Sequence, residues 1–209
     1  MLHIKKFTLG DWMTNCYVVH ADSGACWIID AGFDPEPMLA FIAQHGLTLE
    51  QVVLTHAHVD HIGGLSAVRR HWPEASVVVH QAERDFLSTP ALNLSIVLDH
   101  AVVAPEADHT LAHGDKLTLD GLSVEVRHTP GHSPGGITLY EPTHGFAFVG
   151  DALFAGAIGR FDFPTSDYDA LIEGIRTQLL TLPDATRVLP GHGPETTIGQ
   201  ERETNPFLQ

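Results

Sequence analysis

Positive charge is scarce in this chain: 11 Lys and Arg stand against 26 Asp and Glu, a formal net charge of −15 with neutral histidines. So acidic a protein lacks the basic footprint that holds a phosphate backbone, which argues against a nucleic-acid partner. Long apolar runs are missing too. No stretch reaches the roughly 20 residues needed to span a bilayer, and Met1-Leu2-His3-Ile4-Lys5-Lys6 is followed by no apolar run of signal-peptide length. No membrane role is expected, and a cytoplasmic location follows by default. Cysteine is nearly absent. Cys16 and Cys26 lie on either side of a hairpin turn, neighbour no metal-ligand pattern, and read as reduced core thiols. Repeats, low-complexity tracts and linkers are absent as well. The 209 residues, 44% hydrophobic and 18% charged, suit a single domain, 1–209, with a substantial core.

Histidine, in contrast, is abundant, with 15 residues. Three of them fall in Thr55-His56-Ala57-His58-Val59-Asp60-His61-Ile62-Gly63-Gly64, directly after the apolar run Val52-Val53-Leu54. If that run is a buried strand, alternate side chains just beyond it share a side. His56, His58 and Asp60 then converge on one point while the chain is still extended. Asp60 is also placed to N-cap a helix over 61–71, closed by Pro73, whose first turn aims His61 back at the same point. Four N and O donors in six residues exceed what one metal with an open position requires, which suggests two metals. The Gly63-Gly64 pair inside that helix suggests a close backbone approach.

The remaining order is that of an α/β protein. Residues 5–9 and 16–20 have strand content, and 26–30 forms a hairpin with the latter across Asp22-Ser23-Gly24. A helix is expected over 35–45, stopped by Gly46, a strand over 76–80 and a short helix over 81–87. Residues 88–109 have mixed polarity and read as a loop or flap. Two hairpins follow, turning at Gly121 and at Pro142-Thr143-His144. The last helices are expected over 167–182 and after Thr197, where Gln200 completes a capping box.

Three more strand ends carry a metal-capable residue beside a turn residue: Thr129-Pro130-Gly131-His132, Phe148-Val149-Gly150-Asp151 and Leu189-Pro190-Gly191-His192-Gly193. Each places a donor at the end of a rigid element. With the first cluster they make five His and two Asp, a set suited to two metals sharing one carboxylate.

The ordered set H-x-H-x-D-H, Gly-His, Gly-Asp and Gly-His resembles the metallo-β-lactamase superfamily over nearly the whole chain. The resemblance implies an αββα sandwich of two mixed sheets flanked by helices, with the site along one edge of the sheets. Carried over by position, it implies His56, His58 and His132 on one metal, Asp60, His61 and His192 on the other, and Asp151 bridging both. Asp151 and the lack of a cysteine near any motif argue against the lactamase branches. Gly150-Asp151-Ala152-Leu153-Phe154 to Gly159-Arg160 resembles glyoxalase II, the hydroxyacylglutathione hydrolases, in which a basic residue at the Arg160 position holds a glutathione carboxylate. Thr196 to Arg202, followed by Asn205-Pro206, resembles the short bacterial members, which lack the helical domain of the longer enzymes. Arg160 has a second reading, an ion pair with Asp162 or Asp167.

Together these readings predict a metal-dependent thioester hydrolase acting on a small hydroxyacylglutathione such as S-lactoylglutathione, as a monomer or small homo-oligomer. Metal-bound hydroxide is the expected nucleophile, with Asp60 orienting it and taking its proton. A thiolate leaves without a dedicated general acid, because its thiol has a pKa near 8.5. The His and carboxylate donors suit zinc first, with iron or manganese also admitted. Alternatives are a hydrolase of another small ester or lactone, a mononuclear iron persulfide dioxygenase using His56, His132 and Asp151, and a metal-binding protein without turnover.

Overall fold

Short runs of Val, Ile and Leu bounded by turn residues become strands, and the computed structural model describes all residues 1–209. Tertiary contacts divide the chain into two units, residues 1–111 with 118–122, and residues 112–117 with 123–209. The first contains β1 (Leu2–Leu9), β2 (Thr14–Ala21), β3 (Ala25–Ile29), α1 (Glu36–Gln44), β4 (Thr48–Val53), α2 (Val59–Ile62), α3 (Leu65–His71), β5 (Ser76–His80) and β6 (His109–Leu111). These strands form one six-stranded sheet in sequence order. β1, β2 and β3 run antiparallel through hairpins, whereas β3 to β6 are parallel. The parallel partners need crossovers, and α1, α2 and α3 lie in those connections. Met38, Leu39 and Ile42 of α1 and Leu65 and Val68 of α3 share a core with Ile28, Val52 and Val77.

β7 (Lys116–Leu119) follows, and then β8 (Leu122–His128), β9 (Ile137–Glu141), β10 (Phe146–Gly150), β11 (Leu153–Phe154), β12 (Ala157–Ile158), α4 (Tyr168–Gly174), β13 (Arg187–Pro190), β14 (Thr196–Thr197) and α5 (Ile198–Thr204). The second sheet has the order β14-β13-β10-β9-β8-β7, with β10 and β13 parallel, and β11 and β12 form a small hairpin of their own. Leu171 of α4 with Ile175 and Leu179 buries against Ala147, Val149, Val188 and Ile198. The expected mixed α/β architecture with two large sheets is present. No helix is long and apolar enough to cross a membrane.

Several elements differ from expectation for identifiable reasons. The helix expected over 61–71 is two short helices, and Asp60 lies inside the first turn of α2 rather than at its cap, which is His58. Asp60 therefore joins the site from a helix and not from extended chain. The break is imposed by the loop after β3. Ala31 donates its N–H to the His61 carbonyl and accepts from the Gly64 N–H, each at 2.8 Å, taking two groups a continuous helix would have used. A Cβ on Gly64 would lie 2.2 Å from the Gly32 carbonyl oxygen, so the close approach expected at the Gly pair is a backbone one.

The helix expected over 81–87 is a 3₁₀ turn, Gln81–Phe86. The segment beginning at Asp167 is α-helical only to Gly174 and continues as a π-helical stretch, Ile175–Leu179. Residues 88–109 are mainly loop, but an anchored one. Buried Asn93 donates to the Phe86 and Val102 carbonyls at 2.9 and 3.1 Å, while Ile96, Val97 and Val103 are exposed.

Candidate metal centre

In the first unit the strand β4 delivers the chain into a segment whose amides are held at every second residue. Thr55 N–H donates to Asp30 Oδ1 at 2.7 Å, Ala57 N–H to Glu83 Oε2 at 2.5 Å, and Val59 N–H to the Asn93 carbonyl at 2.9 Å. Asp30, Glu83 and Asn93 are all buried, so each bond is shielded from competing water. This pattern holds the backbone extended from Thr55 to His58 and brings His56 and His58 together, their ligand atoms within 4.8 Å of each other. The turn into α2 then adds His61, within the same distance of His56 and of Asp60.

Asp30 is the residue on which the placement of His61 turns. Its φ is +60°, a left-handed conformation that Asp tolerates better than most residues, and it aims the carboxylate back under the loop. Oδ1 takes the Thr55 amide, and Oδ2 takes the Thr55 hydroxyl at 2.7 Å and His61 Nδ1 at 2.9 Å. A carboxylate on Nδ1 places the His61 proton there and turns Nε2 outward as the basic nitrogen, the arrangement metal-bound histidines use. His61 Nε2 stands 3.4 Å from Asp60 Oδ2, which also accepts the Thr14 hydroxyl at 3.1 Å.

In the second unit His132, Asp151 and His192 come from loops at the ends of β8, β10 and β13. His132 Nδ1 donates to the Arg160 carbonyl at 2.7 Å, which again presents Nε2 as the ligand nitrogen. One oxygen, Asp151 Oδ2, lies 3.6 Å from His132 Nε2 and 3.5 Å from His192 Nε2. Phe163 packs edge-on against His132, and Phe154 against His192.

These separations test whether the donors suit a metal. Two ligands each about 2.1 Å from one ion at a tetrahedral angle stand about 3.4 Å apart. The spacings of 3.4, 3.5 and 3.6 Å match that value. Nε2 of His56, His58 and His61 and Oδ1 of Asp151 are buried from solvent. The donor chemistry, the Nδ1 partners and the spacing all fit divalent cations.

The loop from Asp151 to Arg160 is built as tightly as the ligands themselves. Gly159 N–H closes on the Ala152 carbonyl at 3.3 Å, and a Cβ on Gly159 would lie 1.8 Å from the Asp151 carbonyl oxygen. Gly159→Ala is therefore expected to destabilise the protein by about 3 kcal/mol and to weaken metal binding. Urea unfolding and chelator competition check both effects, and a variant unchanged in both would show that the hairpin relaxes freely.

Arg160 is 63% exposed and pairs with Asp162, while Asp167 accepts the Ala170 amide as the cap of α4. The pairing holds the Arg160 proton more firmly than usual and Asp162 below the ordinary carboxylate range. The guanidinium also lies 4.5 Å from the Phe163 ring centre. Arg160 thus serves His132 through its main chain, while its side chain makes the ion pair that the sequence admitted. Cys16 and Cys26 are free and buried, both pushed up to about 12, by burial first and then by Asp30 for Cys16 and Glu50 for Cys26. They are core thiols, as expected.

The sequence reading missed the roles of Asp30, Glu83 and Asn93. Asp30 had a signal, a carboxylate two residues before a glycine where a strand ends. Glu83 and Asn93 had none, since each reaches the loop from a distant turn.

Comparison with known proteins agrees with this chemistry. Residues 9–192 match the family model described as the metallo-beta-lactamase superfamily. Hydroxyacylglutathione hydrolase GloC of Haemophilus influenzae is 37% identical over 210 residues, covering 99% of this chain and 98% of that protein. Among solved structures, the BLEG-1 B3 metallo-beta-lactamase superposes with a TM-score of 0.94 at 41% identity, over 99% of this chain and 100% of that one. TTHA1623 in a di-iron-bound form superposes with a TM-score of 0.87 at 38% identity, over 98% and 100%. The chain belongs to the metallo-beta-lactamase superfamily, as a metal-dependent hydrolase of mixed α/β fold.

Proposed function

We propose that the protein is a dinuclear hydrolase of small thioesters, with S-lactoylglutathione or a related hydroxyacylglutathione as its substrate. The observation that carries this reading is Asp151 Oδ2, which stands at ligand spacing from both His132 and His192 and so suits a carboxylate shared by two ions. In this reading His56, His58 and His132 hold one ion, Asp60, His61 and His192 the other, and Asp151 serves both. The whole of residues 1–209 acts as one domain. Zinc suits these donors, as do iron and manganese, and the di-iron form of TTHA1623 keeps iron prominent.

When bound, two divalent ions supply Lewis-acid polarisation of a carbonyl and a lowered pKa for water. The chain's own residues then have distinct tasks. Asp60, its Oδ2 steadied by the Thr14 hydroxyl, orients the attacking water and accepts its proton. Asp30 keeps His61 in the tautomer that presents Nε2, and the Arg160 carbonyl does the same for His132. A thiolate departs unprotonated, because thiols have pKa values near 8.5. The Arg160–Asp162 pair is exposed, where water and salt screen an ion pair, so a glutathione carboxylate can displace Asp162 from Arg160. The likeness to GloC supports the glutathione assignment.

The test is hydrolysis of S-lactoylglutathione by protein reconstituted with zinc, iron or manganese, beside His192→Ala. Turnover by the reconstituted protein, lost in the variant, is expected. The panel includes other acyl thioesters, lactones and a β-lactam, the last because of the likeness to BLEG-1. Cleavage of the β-lactam with no thioesterase activity would replace this reading. One iron per chain with thiol-dependent oxygen uptake would point instead to persulfide oxidation.

A further inference from the structure

The sequence from Thr196 to Asn205 contains no metal donor used above, yet it is built around a buried carboxylate. Glu201 is fully buried on α5. Its Oε1 accepts the Thr196 hydroxyl at 2.6 Å, and its Oε2 accepts both the Gly156 N–H and Asn205 Nδ2, each at 2.8 Å. Asn205, also buried, donates from the same nitrogen to the Ala157 carbonyl at 3.0 Å. Gly156 lies in the turn at the tip of the β11–β12 hairpin, and Ala157 opens β12 beside it. The base of the hairpin is Asp151 at one end and Gly159-Arg160 at the other, where the Arg160 carbonyl orients His132. A hairpin of two-residue strands cannot hold its own position. Its tip is gripped by α5, and its base sets two ligand residues.

We propose that Glu201 and Asn205 are positioning residues for the metal centre, acting through the β11–β12 hairpin on Asp151 and His132. The proposal rests on the metal-centre reading above. A salt bridge is not what the hairpin needs from Glu201; it needs an acceptor at Oε2 and any partner for Thr196. Glutamine satisfies both, since its carbonyl oxygen can replace Oε2 and its NH₂ can donate to the ambivalent Thr196 hydroxyl. Alanine satisfies neither.

Glu141 provides the control. It is another buried carboxylate holding a hairpin turn, through the Thr143 and His144 amides, but at the opposite end of β10 from Asp151. Zinc affinity by chelator competition and the visible absorption of the cobalt(II)-loaded protein are measured for E201A, E201Q, N205A and E141A, with thermal melts of the metal-free forms. E201A and N205A are expected to bind zinc about tenfold more weakly with altered cobalt absorption, E201Q to match the parent, and E141A to lose stability without either change. Should E201A fail to fold, N205A carries the comparison with E141A. Equal loss of affinity in N205A and E141A, or no loss in E201A and N205A, overturns the proposal. A parent protein that binds neither zinc nor cobalt overturns the metal reading and this proposal with it.

Discussion

Asp151→Asn is expected to lower metal affinity and thioester hydrolysis by more than about 100-fold, because even partners one layer outside the ligands are worth roughly 10–100-fold. The substitution keeps the size and backbone of the side chain, and so separates ligation from packing. Asp151 Oδ2 is the atom that faces both His132 Nε2 and His192 Nε2. A neutral amide offers one weaker oxygen and an NH₂ that repels a cation, and both histidines lose their common partner. Metal content after gel filtration and the turnover of S-lactoylglutathione are the measurements. An Asp151→Asn protein that retains two equivalents of metal would remove the shared carboxylate from the proposal, and the dinuclear reading with it.

The second large effect is expected at Asp30, which touches no proposed ion. Asp30→Ala leaves the Thr55 amide, the Thr55 hydroxyl and His61 Nδ1 without their buried acceptor, and the cost is about 3 kcal/mol or more in urea unfolding. Alanine also sits poorly at φ +60°. Asp30→Asn separates two effects. It tolerates the backbone and can still accept from Thr55, so the fold is expected to persist. If its NH₂ faces His61, Nδ1 must accept, and the proton moves to Nε2, where it blocks ligation. Metal affinity is therefore expected to fall about 10–100-fold at a smaller stability loss than in Asp30→Ala. Equal metal binding by Asp30→Asn and the parent would show that the tautomer of His61 is set elsewhere.

Much of the donor set was legible in the chain because metal ligands at strand ends leave a dense local mark. His56, His58, Asp60 and His61 crowd six positions, and His132, Asp151 and His192 each follow a glycine at or just past the end of a strand. The second sphere left no such mark. Glu83 and Asn93 reach the 55–59 loop from a 3₁₀ turn and from a segment that read only as mixed-polarity loop, and single polar residues in loops carry no periodic signal. Arg160 shows the limit from the other side. The sequence presented its charge, and the structure uses its carbonyl, which every residue possesses.

Element boundaries failed for related reasons. The pattern over 61–71 is helical throughout, and the chain divides there into α2 and α3 because Ala31 bonds the His61 carbonyl and the Gly64 N–H, with the Gly32 carbonyl packed where a Cβ on residue 64 would lie. Asp60 accordingly enters from a helix, at a position that capping rules assigned to the boundary.

Residue chemistry by itself determined the superfamily, the α/β class and the identity of the candidate ligands, since these depend on residue type and local order. Tertiary structure decided which nitrogen of His61 and His132 is presented, the ligand-like spacing around Asp151 Oδ2, and the pairing of Arg160 with Asp162. Apart from the exposed Arg160–Asp162 pair, each of those depends on a buried or part-buried contact between residues 19 to 41 positions apart, settled by shape and desolvation that no short window of sequence contains.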